Sequence, residues 1–414
     1  MKKIFGLLLL FCFFSALPVF ATPEIGLPMM STPTIDGKIN PGEWDSATRV
    51  TGFHVLGGAE IEPNRSVIYV GWNAEYFFFA YRFYGPSKPK GVDRGRSGPY
   101  WEDDSVEFFI NANKEKSVYY QVLANCRGGW TCYGYNTAGE EENQVGGKYV
   151  DIQADYKTYL SPSYDELIPA QENLWWEGEM KIKWENLNYS PKAGDVGFLF
   201  ITRDNISPEP YKSDYGFAVS TFHEKDKYST LHFLNNIATA RLKDNLQDFE
   251  VVNLNQKSCG VKIKNTIVMD GKEISAKEDV FENVIGKYDY SPAENFPKGI
   301  FNLITEIKDL ETDAMLLRCE NKVINTDLFT YSYDEKNQKI LVDLDLTGIG
   351  LANYPFVELR LMKDDDMLDG AMIDVTNENR QKHYEIDMSE YKKGDYTLVC
   401  QLKGFFTVKE TITK

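Results

Sequence analysis

The feature that most constrains the fold is an alternation of apolar and polar residues with a period of two. Between residues 176 and 184, one side of the alternation consists of Trp176, Gly178, Met180, Ile182 and Trp184. The intervening positions are all charged, which is typical of a half-buried antiparallel strand. Similar segments occur at residues 67–72, 77–83, 106–110, 118–124, 196–202 and 229–234, and no long segment has helical periodicity. The pattern predicts an all-β chain with a β-sandwich over residues 31–237.

The composition changes after residue 237. All seven tryptophans lie between Trp44 and Trp184, yet alternating segments continue to the C-terminus. Residues 298–303 and 393–398 resemble each other, because a glycine turn leads into an alternating strand in both. This spacing predicts two smaller β-sandwiches of the immunoglobulin or fibronectin type, over residues 238–325 and 326–414. One larger irregular β domain is the alternative.

The N-terminus has the pattern of a secretory signal peptide over residues 1–21. Lys2 and Lys3 precede an apolar run at residues 4–14, and Ala21 supplies a small residue at the cleavage point. The run is shorter than the roughly 20 residues that span a bilayer, so we expect a secreted or periplasmic protein without membrane insertion. A formal charge of −17 argues against nucleic acid as a partner.

Five cysteines remain after cleavage, and two of them are close in sequence. Cys126 and Cys132 flank a glycine-containing turn, and in an oxidising compartment they are candidates for a disulfide. The odd number leaves at least one thiol free. No cysteine or histidine spacing matches a zinc site.

The segment from Trp101 to Ile110 contains the most informative polar residues. On a strand, Glu107 points away from Val106 and Phe108, so it lies on the outer face of a sheet if those two face the core. Aromatic and hydrogen-bonding residues follow downstream: Tyr119, Tyr120, Gln121, Asn125, Arg127 and Trp130. Sugars are bound by this mixture, since aromatic faces cover their C–H patches and planar polar groups pair with their hydroxyls.

In order along residues 31–235, several motifs resemble family 9 carbohydrate-binding modules. They are Ile35-Asp36-Gly37, Gly42-Glu43-Trp44, and the segments 101–110, 176–187 and 229–234. The resemblance implies a noncatalytic β-sandwich that binds mono- and disaccharides or polysaccharide chain ends in carbohydrate catabolism. A separately encoded glycoside hydrolase is then the expected enzyme partner.

The resemblance also implies roles for individual residues. Trp101 matches one aromatic wall of a sugar clamp, and Glu107 matches the carboxylate that bonds sugar hydroxyls. Tyr215 aligns with the second wall, where the family typically has tryptophan. The remaining predicted sugar contacts are Asn125, Arg127 and Trp130. A structural calcium ion is expected, with candidate ligands Asp36, Glu43, Asp103 and Asp104.

Other interpretations stay open at this point. The chain could be a glycoside hydrolase, an adhesion or assembly module that has lost sugar binding, or a haem carrier of similar fold with Met180 and His223 or His232 as axial ligands. Trp101 could also be a core residue, and Glu107 and Asp104 could be solvated. Core positions are expected for four tryptophans: Trp44, Trp72, Trp176 and Trp184.

Overall fold

The computed structural model describes most of the chain after residue 21. The described ranges are 22–57, 61–62, 64–85, 88–96, 98–136, 147–161, 175–207, 210–235, 238–254, 257–269, 272–292, 296–297, 299–325, 329–346, 356–363, 366–374, 381–402 and 406–414. The predicted signal peptide lies outside them. Within these ranges, no helix has the length and apolar character needed to cross a membrane.

The described residues form strands joined by turns and a few short 3₁₀ segments. The strands are β1 Glu24–Leu27, β2 Thr48–Thr51, β3 His54–Val55, β4 Ser66–Trp72, β5 Tyr76–Tyr84, β6 Ser105–Asn111, β7 Val118–Asn125, β8 Trp130–Asn136, β9 Lys148–Tyr149, β10 Ala154–Leu160, β11 Trp175–Lys183, β12 Val196–Asn205, β13 Tyr211–Asp214, β14 Ser229–Phe233, β15 Thr239–Leu242, β16 Phe249–Asn253, β17 Cys259–Met269, β18 Lys272–Val284, β19 Gly286–Tyr290, β20 Gly299–Asp309, β21 Met315–Asn325, β22 Phe329–Asp334, β23 Lys339–Asp345, β24 Phe356–Lys363, β25 Asp366–Asp374, β26 Gln381–Asp387, β27 Asp395–Leu402 and β28 Phe406–Thr413. The all-β prediction is confirmed, and every alternating segment identified in the sequence coincides with a strand.

Two large sheets form a sandwich around the main core. Sheet A has the order β18-β17-β20-β21-β1-β14-β12-β6-β7-β8-β9, with β13 and β3 attached beside β12. Sheet B has the order β10-β11-β5-β4-β2-β15-β16-β19. Apolar side chains from both sheets, among them Phe79, Phe108 and Trp176, pack together between them. The four tryptophans expected in the core are buried.

Strand β5, which was expected to alternate, is apolar on both faces because both are covered. Phe77 and Phe79 point into the main core, while Phe78 and Ala80 join a small cluster with Trp44 on the opposite face of sheet B. A strand that is buried on both sides has no polar face, which explains its run of aromatic residues.

Strands on both sides of residue 238 share sheets and core. Strand β1 pairs with β14 on one side and with β21 on the other, and β15 pairs with β2. Gly26 permits the close approach of β1 and β21, since a Cβ there would lie 2.6 Å from the carbonyl oxygen of Leu316. Leu317 and Cys319 belong to the main core. The division into domains at residues 31–237, 238–325 and 326–414 stays a prediction.

The C-terminal strands build a separate core. Sheet C has the order β22-β23-β26, and sheet D has the order β25-β24-β27-β28. Their inner faces contribute a second apolar cluster that includes Val342, Leu359 and Leu398.

The predicted disulfide between Cys126 and Cys132 is wrong, because both thiols are free and buried. Cys132 stands opposite Val122 in the ladder between β7 and β8, whereas Cys126 lies beyond the end of β7. Four residues of strand correspond to about 13 Å, and a disulfide needs Cα atoms within about 7 Å. Burial raises the pKa of each thiol to about 12, so neither forms a thiolate readily.

Candidate functional site

The outer face of sheet A carries a row of residues on neighbouring strands. Phe109 on β6 stands opposite Gln121 on β7, which stands opposite Tyr133 on β8. Directly opposed residues in an antiparallel ladder point to the same face. Glu107 is two residues from Phe109, so it shares this face, as the sequence pattern predicts from Val106 and Phe108 in the core.

A cavity of about 410 Å³ opens on this face. Its walls come from strands β6, β7, β8 and β13 and from the loop before β14. The lining residues are Leu56, Trp101, Glu107, Gln121, Tyr135, Lys212, Ser220, Thr221, Phe222 and His223.

Trp101 provides an accessible aromatic ring on one side of the cavity. Of the seven tryptophans it is the most exposed, at 41%. It lies in the 3₁₀ turn Tyr100–Glu102, which is anchored because the hydroxyl of buried Tyr100 donates a hydrogen bond to the carbonyl of Gly95. The indole also lies beside Tyr133, with ring centroids 6.4 Å apart.

The floor of the cavity is a chain of buried polar groups. The Tyr135 hydroxyl donates to Oε1 of Gln121, and Nε2 of Gln121 donates to Oε2 of Glu107 at 2.6 Å. Glu107 also lies beside Asp204, whose carboxylate is 2.7 Å from Nζ of Lys212. The two hydrogen bonds fix the orientation of the Gln121 amide on the floor.

Burial affects the ionisation of Glu107 on this floor. Glu107 is 2% exposed, and burial together with the charge of Asp204 raises the pKa of Glu107 well above its ordinary value. The Glu107 carboxyl is therefore harder to ionise than an exposed one. The floor is rich in hydrogen-bonding groups.

A loop before β14 forms another wall of the cavity. Oδ1 of Asp214 accepts the backbone N–H of Ala218, and the Glu224 carboxylate accepts the N–H groups of Val219, Ser220 and Thr221. These bonds replace the strand ladder that the loop lacks.

Two side chains of this loop face the cavity as flat rings. Phe222 packs on Phe200, and the His223 ring lies against Phe109 and Tyr135 at 5.2 and 5.3 Å. Burial lowers the pKa of His223 to about 4, with Lys225 adding to the effect, so the imidazole is neutral at physiological pH.

The structure brings together two of the six predicted sugar contacts, Trp101 and Glu107. Tyr215 is a correction, because it lies in the main core at 4% exposure and packs against Phe53 at 5.8 Å. Its backbone N–H bonds to the Ile201 carbonyl, which directs the ring inward. The rings that line the cavity in this part of the chain are those of Phe222 and His223, seven and eight positions later.

The other three predicted contacts do not line the cavity. Asn125 is buried and organises the β7–β8 turn, since Oδ1 accepts the N–H groups of Arg127 and Gly129. Arg127 lies in that turn. The Trp130 ring is covered by the guanidinium of Arg96, which stands 3.7 Å from the ring centroid.

The predicted calcium ligands are engaged in other contacts. Asp103 pairs with Arg94 and accepts Nδ2 of Asn125, while Asp104 accepts the N–H groups of Lys90 and Ile206. These donors occupy Oδ2 of Asp103 and both carboxylate oxygens of Asp104.

Asp36 and Glu43, the other two candidates, lie in the loop before β2. The Asn40 side-chain amide donates hydrogen bonds to both carboxylates. In the part of the chain that the structure describes, no group of three or more His, Cys, Asp or Glu side chains is arranged to hold a metal ion. This donor set does not fit a structural calcium ion.

The axial ligands of the haem interpretation lie on opposite sides of sheet A. Met180 is buried in the core between the sheets. His223 packs on Phe109 on the outer face, and His232 alternates with the core residues Leu231 and Phe233, bonding to Glu24. A single haem iron cannot reach both sides.

Most cavity residues beyond Trp101 and Glu107 were missed at the sequence level. Gln121 was named among the polar residues downstream of Glu107 but not assigned as a sugar contact, although the period of two places it on the same sheet face as Glu107 once their strands are paired. The residues of the loop 219–223 carry no such signal, since capping by Asp214 and Glu224 sets their position.

No protein-family profile and no curated protein matches the chain. Solved structures with similar folds include a Bacteroides uniformis protein whose carbohydrate binding is itself inferred, with 18% identity, a TM-score of 0.40, and coverage of 51% of this chain and 100% of that one. A family 9 carbohydrate-binding module from Caldicellulosiruptor kristjanssonii in complex with cellotriose has 13% identity, a TM-score of 0.33, and coverage of 51% and 94%. The fibronectin domains FN1–FN3 of chicken CNTN1 match at 10% identity and a TM-score of 0.18, covering 84% of this chain and 96% of that one. At identities and TM-scores this low, a functional argument for this chain has to come from the residues of the site.

Proposed function

We propose that the chain is a noncatalytic carbohydrate-binding protein whose site is the cavity beside Trp101. The observation that carries the proposal is an accessible indole in the same cavity as a hydrogen-bonded polar floor. A pyranose ring offers apolar C–H faces and equatorial hydroxyls, and the cavity offers a partner for each.

Each wall then has a defined role. Trp101 stacks on one face of the sugar ring, and the loop residues Phe222 and His223 bound the other side. The Glu107 carboxyl, the Gln121 amide and the Lys212 ammonium lie where hydroxyls would point, and between them they supply both donors and acceptors.

The geometry of the carboxyl groups favours binding over hydrolysis. The acid and the second carboxylate of a glycosidase stand about 5 to 9.5 Å apart. Glu107 and Asp204 instead lie side by side, and burial together with the charge of Asp204 raises the pKa of Glu107. In this proposal the protein is exported and supports carbohydrate catabolism beside a separately encoded glycoside hydrolase.

Isothermal titration against a panel of neutral mono- and disaccharides tests the proposal. Glucose belongs in the panel because one solved structure is a family 9 module in complex with glucose. We expect saturable one-site binding and, after prolonged incubation, unchanged sugar by chromatography. Released product would identify an enzyme. Absence of binding by folded protein would favour an adhesion or assembly module that has lost its ligand.

A further inference from the structure

A strip of aromatic rings leads from the cavity to the edge of sheet A. This aromatic strip consists of Trp101, Tyr133 and Tyr149. Tyr133 stands opposite the cavity residue Gln121 on one side and opposite Tyr149 of the edge strand β9 on the other. The side chains of Gln121, Tyr133 and Tyr149 therefore share the outer face of the sheet.

The strip is accessible to a ligand. Tyr149 is 43% exposed and Tyr133 is half-buried. Neighbouring strands lie about 4.8 Å apart, so successive rings are offset by a distance close to the length of one sugar residue in a linear chain.

Polar groups accompany the outer ring. The Tyr149 hydroxyl donates to Asp151 at 3.4 Å, and Arg96 pairs with the same carboxylate at 3.3 Å. The Trp130 ring beneath Arg96 holds the guanidinium in place. The opposite charges of Arg96 and Asp151 balance each other, which suits an uncharged ligand rich in hydroxyls.

We infer that the aromatic strip extends the sugar site, so that the natural ligand is a neutral oligosaccharide whose terminal ring occupies the cavity and whose following rings stack on Tyr133 and Tyr149. The inference rests on the proposed function, because the cavity supplies the end point of the chain. It assigns to Tyr149 the role of a subsite residue that selects for chain length.

The test compares affinities across chain length in the mature full-length protein. Oligosaccharides of one to five residues, in β-1,4-glucan, β-1,4-xylan, β-1,4-mannan and α-1,4-glucan series, are titrated calorimetrically. In the series that binds, we expect affinity to rise from the monosaccharide to the trisaccharide or tetrasaccharide.

Variants separate the strip from the cavity. Tyr149→Ala is expected to weaken tetrasaccharide binding about three- to tenfold, the range for losing one aromatic contact, with unchanged monosaccharide affinity. Tyr149→Phe should retain binding because it keeps the ring. Tyr288→Ala, which removes another exposed tyrosine on β19 in sheet B, serves as the matched control.

The outcomes distinguish the two proposals. Affinity independent of chain length, or a Tyr149→Ala variant that binds tetrasaccharide like wild type, overturns the aromatic strip and leaves the cavity intact. Failure of the folded wild-type protein to bind every sugar overturns both.

Discussion

Replacing Trp101 by alanine should remove most sugar affinity while leaving the protein folded. Large aromatic side chains present up to about 250 Å², and an exposed fraction of 41% leaves roughly 100 Å² for a ligand to cover. At about 25 cal/mol per Å², full coverage contributes about 2.5 kcal/mol. Coverage of one half contributes about 1.2 kcal/mol. The dissociation constant should therefore rise between about 8-fold and about 70-fold.

The assay is calorimetric titration of wild type, Trp101→Ala and two controls with the best sugar from the panel. Trp101→Phe keeps an aromatic face and should lose less affinity. Trp175→Ala removes another partly exposed tryptophan, which lies on β11 in sheet B, 4.7 Å from the Arg82 guanidinium. Circular dichroism and melting temperature establish that each variant is folded.

One pattern of results would refute this reasoning. If Trp101→Ala binds sugar with wild-type affinity and only its melting temperature falls, the indole is a structural residue. If Trp175→Ala loses affinity instead, the site lies on sheet B.

Four further predictions concern stability, thiols, acidity and metal. Trp176→Ala should lower the free energy of unfolding by about 3–5 kcal/mol, because it leaves a cavity in the main core. Denaturant titration measures this loss, and a loss below about 1 kcal/mol would contradict the packing. Thiol titration of the denatured mature chain without reductant should give five free thiols, and three would indicate a disulfide between Cys126 and Cys132 after all. Burial raises the pKa of Asp214 from 3.8 to about 8. Between these two pH values the folded state keeps a proton that the unfolded state loses. The free energy of unfolding of the wild type should therefore fall as the pH rises from about 4 to about 8. Asp214→Asn should lack this part of the fall, and parallel pH profiles of the two proteins would argue against a protonated Asp214. EDTA should leave the melting temperature unchanged, whereas a drop restored by calcium would show a structural ion.

Local patterns predict much of this fold because the alternation of a half-buried strand can be recognised from the residues of that strand alone. The segment around Trp176 shows this, and its strand was located within one residue. The sharing of sheets across residue 238 could not be predicted in the same way. It depends on β1 pairing with β21, about 290 positions away, and short strands carry little information about their partners.

The same distinction between local patterns and distant contacts applies to the residues of the candidate site. Trp101 and Glu107 come from one segment, so their relation is set by a turn and a strand that the sequence reveals. Another wall of the cavity belongs to a loop whose path depends on Asp214 and Glu224 capping backbone N–H groups. Tyr215 was the candidate that the family resemblance implied, but its position beside β12 turns the ring into the core.

The most direct measurement is a crystal structure of the mature protein with the tightest-binding sugar of the panel. The account predicts a pyranose ring stacked on Trp101, with hydroxyls within hydrogen-bonding distance of Glu107 and Gln121. Sugar bound elsewhere, with the cavity beside Trp101 containing only solvent, would contradict it.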